Sequence, residues 1–334
     1  MKLLFITTKI HERDDDFAFA SLWVKEFIRQ GFDISVICHE KEVYTDNFPV
    51  YSLGREKGFS KFKSMLIFLK LILSLDYDRV FVHMNPKWIV PGALFWRIKN
   101  TPVYLWYTHY TMHFPLRVSH WLCKRLFCAT KNSMPQYEGD PKKIVTGHGI
   151  DMRFWDFNAT PQNERRAKTE LLSIHRVCRS KRLDLVIKAL KFLPDEYTLT
   201  VYGRELEDNY AKEIKDLIKE LNLVDRVKLM GSVPMPELLK IYPQYQIMVN
   251  MALETIDKTM IEAMLAGLQV VTTSNNARAI GLPDFPKEET PEAIAEYIKN
   301  INFLSIEESR KIVKENHSLE SLVKKMGEYI KAGN

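Results

Sequence analysis

A chain of 334 residues with 46% apolar and 27% charged side chains is long enough for two separately cored domains and too apolar to be disordered. Its net charge of +6 arises in the first half: residues 1–150 hold 21 Lys and Arg against 14 Asp and Glu, the remainder 27 against 28. Without zinc spacing, an RNP-like run or an Arg-rich tract, this basicity ranks nucleic acid behind an anionic membrane surface or a phosphorylated acceptor as partner.

The opening, MKLLFITTKIHERDDD, has too short an apolar run for a signal peptide and reads as a first strand. Lys2–Thr8 is a continuous apolar run, as a buried parallel strand requires; a helix over Phe17–Arg29 and a strand over Asp33–Cys38 complete a Rossmann-like unit. Its first turn lacks G-x-G-x-x-G, which removes the main support for a nicotinamide or flavin cofactor. The alternation continues with helices over Phe59–Leu75, Lys87–Ile98 and Leu116–Leu126, and strands over Arg79–His83, Val103–Tyr107, Leu126–Thr130 and Lys143–Thr146. Ser64–Leu75, the longest apolar stretch, contains Lys70 and is too short to span a bilayer. Cys38, Cys123, Cys128 and Cys178 form no C-x2-C pair, which suits a reducing cytoplasm. After GHGIDMRF, Gly147–Phe154, a polar link Asn158–Asn163 leads into the second half.

There the pattern restarts: strands over Lys168–Ile174, Thr198–Tyr202, Val227–Met230 and Gln246–Met251, helices over Leu183–Leu193, Asn209–Leu221 and Pro236–Tyr242. Two doubly wound halves predict a ligand cleft at the strand C-termini between them. Leu319–Ile330 is a final amphipathic helix.

The densest chemistry lies at Glu254–Gly267, ETIDKTMIEAMLAG, where two carboxylates eight residues apart flank the start of a mostly apolar helix. Glu262 is charged amid apolar neighbours and needs a partner, while Glu254 lies where the helix's first N–H groups point. Spacing alone also fits a loop residue and an outward-facing helix residue. In SIHRVCRSKRLDLVIKAL, Arg176 and Lys181 lie five residues apart between a strand and a helix, where they can clamp a diphosphate or stand as solvated loop charges. His109 follows the strand VYLWY, and His113 is the second histidine of that segment. Asp76-Tyr77-Asp78 has D-x-D form but reads as the cap of the loop before RVFVH; Asp14–Asp16 reads as a solvated turn.

E-x7-E running into EAMxxG, followed by QVVTT, resembles the nucleotide-sugar site of family 4 glycosyltransferases, and other motifs of that family recur in order over nearly the whole chain. Arg176 and Lys181 fall on the Arg and Lys of its GR-x4-KG segment, with His175 and Arg182 in place of the two glycines; His109 matches its W-Y-x-H and Gly147–Asp151 its G-x-G-I-D. Asp257 replaces a common family glycine, and the first loop, KIHERDDDFAFA, lacks the usual glycine pair.

The resemblance implies an α/β, GT-B architecture: two Rossmann-like domains facing across a cleft, 1–155 with 318–334 and 156–317, the last helix crossing back to the first. It implies a retaining transferase without metal or other cofactor, acting in the cytoplasm or on the inner face of the membrane in cell-surface polysaccharide or glycolipid synthesis. Its partners would be a nucleotide-sugar donor and a glycan or lipid-linked acceptor, not nucleic acid; Phe59–Leu75 and Phe114–Phe127, which mix Lys and Arg with large apolar residues, read either as contacts to an anionic membrane surface or as core-packing helices. His109, Arg176, Lys181 and Glu254 would be catalytic. Gly149, Gly203, Lys258, Thr259, Met260 and Glu262, with Arg176 and Lys181, would bind the donor; no residue would hold a metal. Other readings are a nucleotide-sugar epimerase, a phosphorylase, or a non-catalytic protein that binds nucleotide sugar.

Overall fold

The structure, a computed structural model, describes residues 1–14, 17–109, 111–157, 167, 169–253 and 256–333. The chain divides into two compact units, Met1–Asp151 with Ser318–Asn334, and Met152–His317. The division falls four residues before the boundary read from sequence, because Trp155 and Phe157 pack on Tyr242 of the second unit.

The first unit is built on seven parallel strands: β1 Lys2–Ile10, β2 Asp33–Lys41, β3 Val50–Ser52, β4 Arg79–His83, β5 Val103–Trp106, β6 Arg125–Cys128 and β7 Lys143–Val145. Their order is β3-β2-β1-β4-β5-β6-β7. Alternation along β1 explains the layers: Leu3 and Phe5 enter one core with Trp23 and Phe27, while Leu4 and Ile6 enter another with Phe68, Trp96 and Leu116. Both faces are covered, so the strand is apolar throughout rather than alternating. The tail helix Leu319–Ala332 joins the first core through Leu322, Val323 and Met326 and packs on the helix Phe19–Arg29. The opposite face carries the helices Lys61–Ser74, Ile89–Ile98 and Phe114–Leu122.

One of these differs from the sequence reading. The helix starts at Phe114, capped by His113, whose Nδ1 accepts from the Leu116 N–H at 3.3 Å, with Pro115 in its first turn. It ends at Leu122, where Cys123 turns extended at ψ 143, and no Gly or Pro marks that stop.

The second unit has five parallel strands, β8 Glu170–Ile174, β9 Thr198–Tyr202, β10 Val227–Leu229, β11 Ile247–Asn250 and β12 Gln269–Thr272, in the order β10-β9-β8-β11-β12. Pro236–Tyr242 is not one helix: Pro236 and Pro243 confine the α-helical turns to Leu238–Ile241 between two 3-10 segments. No described helix is long and apolar enough to cross a membrane.

Candidate active site

The second sheet reverses direction at β8: the chain goes from β8 outward to β9 and β10, then returns to the other side of β8 with β11 and β12. Such a switch leaves a crevice at the C-terminal ends of β8 and β11, because the two crossover helices depart to opposite sides. The segments that leave these strands carry His175–Lys181 and, among the described residues, 251–253 and 256–257. They are tied together by Leu253 N–H donating to the Ser180 carbonyl at 2.8 Å.

Lys181 and Asp257 meet in this crevice. The Lys181 ammonium lies 2.5 Å from Asp257 Oδ1, and Asn250 Nδ2 donates to Oδ2 at 2.9 Å. Lys181 has 4% of its side chain exposed and Asp257 19%, so this is a largely desolvated pair. Burial pushes the Asp257 carboxyl up, but the Lys181 ammonium and the Asn250 amide outweigh it and hold the group below the ordinary carboxylate range. Asp257 is therefore the counter-ion of Lys181, not a charge turned away from the site. Arg176 is exposed and has no ion pair among the described residues. Arg182 adds no available cation, since it pairs with Glu289; its φ of 53° explains why glycine suits this place.

His175 is buried at the end of β8 and its Nδ1 donates to the Arg176 carbonyl at 3.1 Å, which assigns the proton to that nitrogen; burial lowers its pKa. The β9 exit crosses close by: a Cβ on Gly203 would stand 1.8 Å from the His175 carbonyl oxygen. Only glycine fits there, which assigns Gly203 the task of letting two strand ends approach.

The helix Lys258–Leu265 begins at the crevice, and its N-cap Asp257 sends its side chain to Lys181 rather than to the first-turn N–H groups. A helix start without a side-chain cap leaves N–H groups that water or an anion can satisfy. Thr259 Oγ1 donates to the Ile174 carbonyl at 2.8 Å and pins the helix to β8. The Met260 side chain is buried and its N–H donates to the Asp257 carbonyl at 3.1 Å, so Met260 orders the turn. Glu262, 5% exposed, accepts from Tyr242 Oη at 2.9 Å. Burial lifts the Glu262 carboxyl to about 7 against the pull of Tyr242 and Lys258, and burial lowers the half-buried Lys258 ammonium to about 7 against the pull of Glu262. Glu254 lies outside the described residues.

Gly149 and His109 belong to the first unit. Gly149 has φ 70° and packs where a Cβ would meet Trp23 at 2.7 Å and Leu319 at 3.1 Å, beside the Ile150–Ser318 bridge that returns the tail. His109 is exposed beyond β5 with its ring edge-on to Tyr107. His113, in contrast, is spent on its helix cap and on Tyr107 Oη at 2.9 Å. Asp14 is not solvated: it lies 2.9 Å from Lys9, which also meets Glu40 at 2.7 Å; Asp15 and Asp16 lie outside the described residues. Asp78 accepts from the Lys2 N–H at 2.8 Å and Asp76 pairs with the Lys2 ammonium, so the D-x-D segment anchors the start of β1. No cluster of three His, Cys, Asp or Glu able to hold a metal occurs among the described residues.

Residues 156–319 match the sequence model of the glycosyl transferases group 1 family. The second unit therefore carries a group 1 glycosyl transferase domain. No curated protein sequence matches this glycosyltransferase significantly. Its fold is similar to that of Anabaena Alr3699/HepE, solved with UDP and glucose, at 17% identity over 99% of this chain and 100% of that one, TM-score 0.77. A glycosyltransferase from Rickettsia africae aligns at 15% identity over 99% and 98% of the two chains, TM-score 0.75. WaaG, a glycosyltransferase involved in lipopolysaccharide biosynthesis, aligns at 14% identity over 98% and 99%, TM-score 0.69. The GT-B class read from the sequence thus holds for two parallel-sheet units. Two residues of the candidate site carry no role in the sequence reading: Tyr242, partner of Glu262, and Asn250, partner of Asp257. Asn250 could have been found, as a polar residue in an otherwise apolar buried strand; Tyr242 carries no such signal.

Proposed function

We propose that this glycosyltransferase moves a sugar from a nucleoside diphosphate to a glycan or lipid-linked acceptor, with retention of configuration and without a metal ion. It would work in the cytoplasm, in the synthesis of a cell-surface polysaccharide or glycolipid. One arrangement supports the reading: at the β8–β11 switch Lys181 pairs with Asp257 at a helix start without a side-chain cap, Arg176 is exposed in the same loop as Lys181, and the buried Glu262 lies on that helix. Two cations and the helix start supply the charge complement of a diphosphate, and Glu262 supplies two acceptors for a ribose diol. The Anabaena relative solved with UDP supports a nucleoside diphosphate donor, and WaaG supports a cell-surface product.

In this reading the departing diphosphate competes with Asp257 for Lys181, so the cation is held in place before the donor arrives and needs little reorganisation as charge grows on the leaving oxygen. Lys258 and Thr259 lie at the helix start beside the phosphates, Met260 and Gly203 keep the turn and the strand exits in place, and Gly149 keeps the first unit's return packed. Glu254 would hold the donor sugar's hydroxyls and His109 would contact the transferred sugar; both roles, like retention, rest on the E-x7-E and W-Y-x-H resemblance.

The test is binding measured by calorimetry. Glu262→Ala should weaken nucleotide affinity about 10- to 100-fold, since hydrogen bonds to a charged group are lost, while Glu254→Ala should spare binding and reduce transfer. The wild type should bind best near neutral pH: Glu262 loses its charge as the pH falls through about 7, and Lys258 loses its own as the pH rises through about 7. Glu262→Gln should remove the acidic limb and move the basic limb to lower pH, since Glu262 no longer holds the Lys258 ammonium up. Normal nucleotide affinity in Glu262→Ala would overturn the site.

A further inference from the structure

We propose that His175 takes up a proton when a nucleoside diphosphate enters the β8–β11 crevice, and that the imidazolium then replaces Lys181 as the counter-ion of Asp257. The step rests on the crevice being the donor site. In the free protein the Lys181 ammonium lies 2.5 Å from Asp257 Oδ1, and 4% and 19% of the two side chains are exposed. A diphosphate carries more charge than one carboxylate and draws Lys181 towards itself. Asp257 does not follow, because Asn250 Nδ2 holds its Oδ2 at 2.9 Å and its backbone is the N-cap of the helix Lys258–Leu265. A largely buried carboxylate left without its cation is unfavourable, and that cost falls on donor affinity unless another cation arrives.

His175 can supply it. The residue follows β8, is 6% exposed, and gives its Nδ1 proton to the Arg176 carbonyl at 3.1 Å, so Nε2 carries a lone pair. Nε2 is buried and has no hydrogen-bond partner among the described residues. Protonation there adds a donor and leaves the bond at Nδ1 intact. Burial holds the ring below the ordinary histidine value, while Asp257, from the turn after β11, pulls it up and Lys181, from the loop after His175, pushes it down. Asp257 feels the ring in turn, although burial and Lys181 weigh more on its carboxyl. Drawing Lys181 away removes the push and leaves the pull, so the imidazole becomes more basic as the carboxylate loses its partner. The helix after Asp257 adds Lys258 and Glu262, whose opposite charges act on each other. The β9 exit adds Gly203, with Arg204 beyond it. The proton settles on the imidazole rather than on Asp257, since the Asn250 amide favours the ionised carboxylate and imidazole is the stronger base. One N–H bond forms at Nε2, its proton comes from solvent, and Lys181 remains an ammonium.

The test is calorimetric titration of the full chain with UDP, GDP, ADP and dTDP at about pH 7, in buffers of different ionisation enthalpy, which counts the protons taken up per nucleotide bound. Glu262 and Lys258 also change charge near this pH, so the reading is the difference between the wild type and His175→Gln. The wild type should take up about one proton more. In 15N-histidine spectra one Nε2 signal should pass from the unprotonated to the protonated range on saturation with nucleotide, and His175→Gln should lack it. His175→Gln should also bind about tenfold more weakly, because Asp257 is then stranded, and His175→Gln with Asp257→Asn should restore the affinity. A variant that lost affinity through its fold would not regain it in that pair, so failure of the pair to restore binding would overturn the proposal. So would an equal proton count in the wild type and His175→Gln, which would leave the donor site standing. Binding of none of these nucleotides would overturn the donor site and this step together.

Discussion

Lys181→Ala should cost about 10²- to 10³-fold in the rate of sugar transfer and about 3–5 kcal/mol in stability. The two losses have different origins. Stability is lost because Asp257 keeps its place beside Asn250 with its counter-ion gone, in surroundings that leave its side chain 19% exposed. Burial then dominates and its carboxyl moves up, so the variant should lose the stabilisation that the native pair contributes above the ordinary carboxylate range and loses as the pH falls through the depressed native value. Rate is lost because a leaving diphosphate meets Arg176 alone. A double substitution separates the two: Lys181→Met with Asp257→Asn removes both charges, and should recover most of the stability while leaving transfer impaired. Recovery of transfer together with stability would show that Lys181 serves the fold only.

Gly203→Ala should be nearly as damaging although it removes no functional group. The added methyl would lie 1.8 Å from the His175 carbonyl oxygen and 2.7 Å from its carbonyl carbon, both backbone atoms that cannot swing aside as a side chain would. The β8 and β9 exits must part, and His175 and Arg176 move with them. Overpacking of this kind costs about 1–3 kcal/mol or more. A displacement of about 1 Å at a positioned cation lowers turnover on the order of 10²-fold. Melting temperature and kcat measured on the same preparation check this; an unchanged kcat would remove the β9 exit from the site.

Much of the architecture was legible because its causes are local. Continuous apolar runs such as Lys2–Thr8 and Val103–Tyr107 mark strands buried on both faces, and their alternation with helices predicts a parallel sheet. The second sheet's C-terminal edge was legible too, since His175–Lys181 and the turn into Lys258–Leu265 follow strands directly. What escaped depends on distant parts of the chain. Whether Asp257 turns towards a phosphate or towards Lys181 is decided by residues 76 positions apart, and no spacing rule contains that. Tyr242 lies twenty residues before its partner Glu262, at the end of a proline-broken segment. β3, only three residues long after Pro49, has too little pattern to be seen at all. The final residues of Phe114–Leu122 mislead because Cys123 and Lys124 are compatible with more helix.

The central claim is that a nucleoside diphosphate sugar occupies the β8–β11 switch without a metal ion. Calorimetric titration of the full chain with UDP-, GDP-, ADP- and dTDP-sugars in excess EDTA tests it most directly. The account predicts saturable one-to-one binding of one donor class in EDTA, weakened by Glu262→Ala and by Lys181→Ala. Binding of no donor, or binding only after EDTA is replaced by a divalent cation, would contradict it.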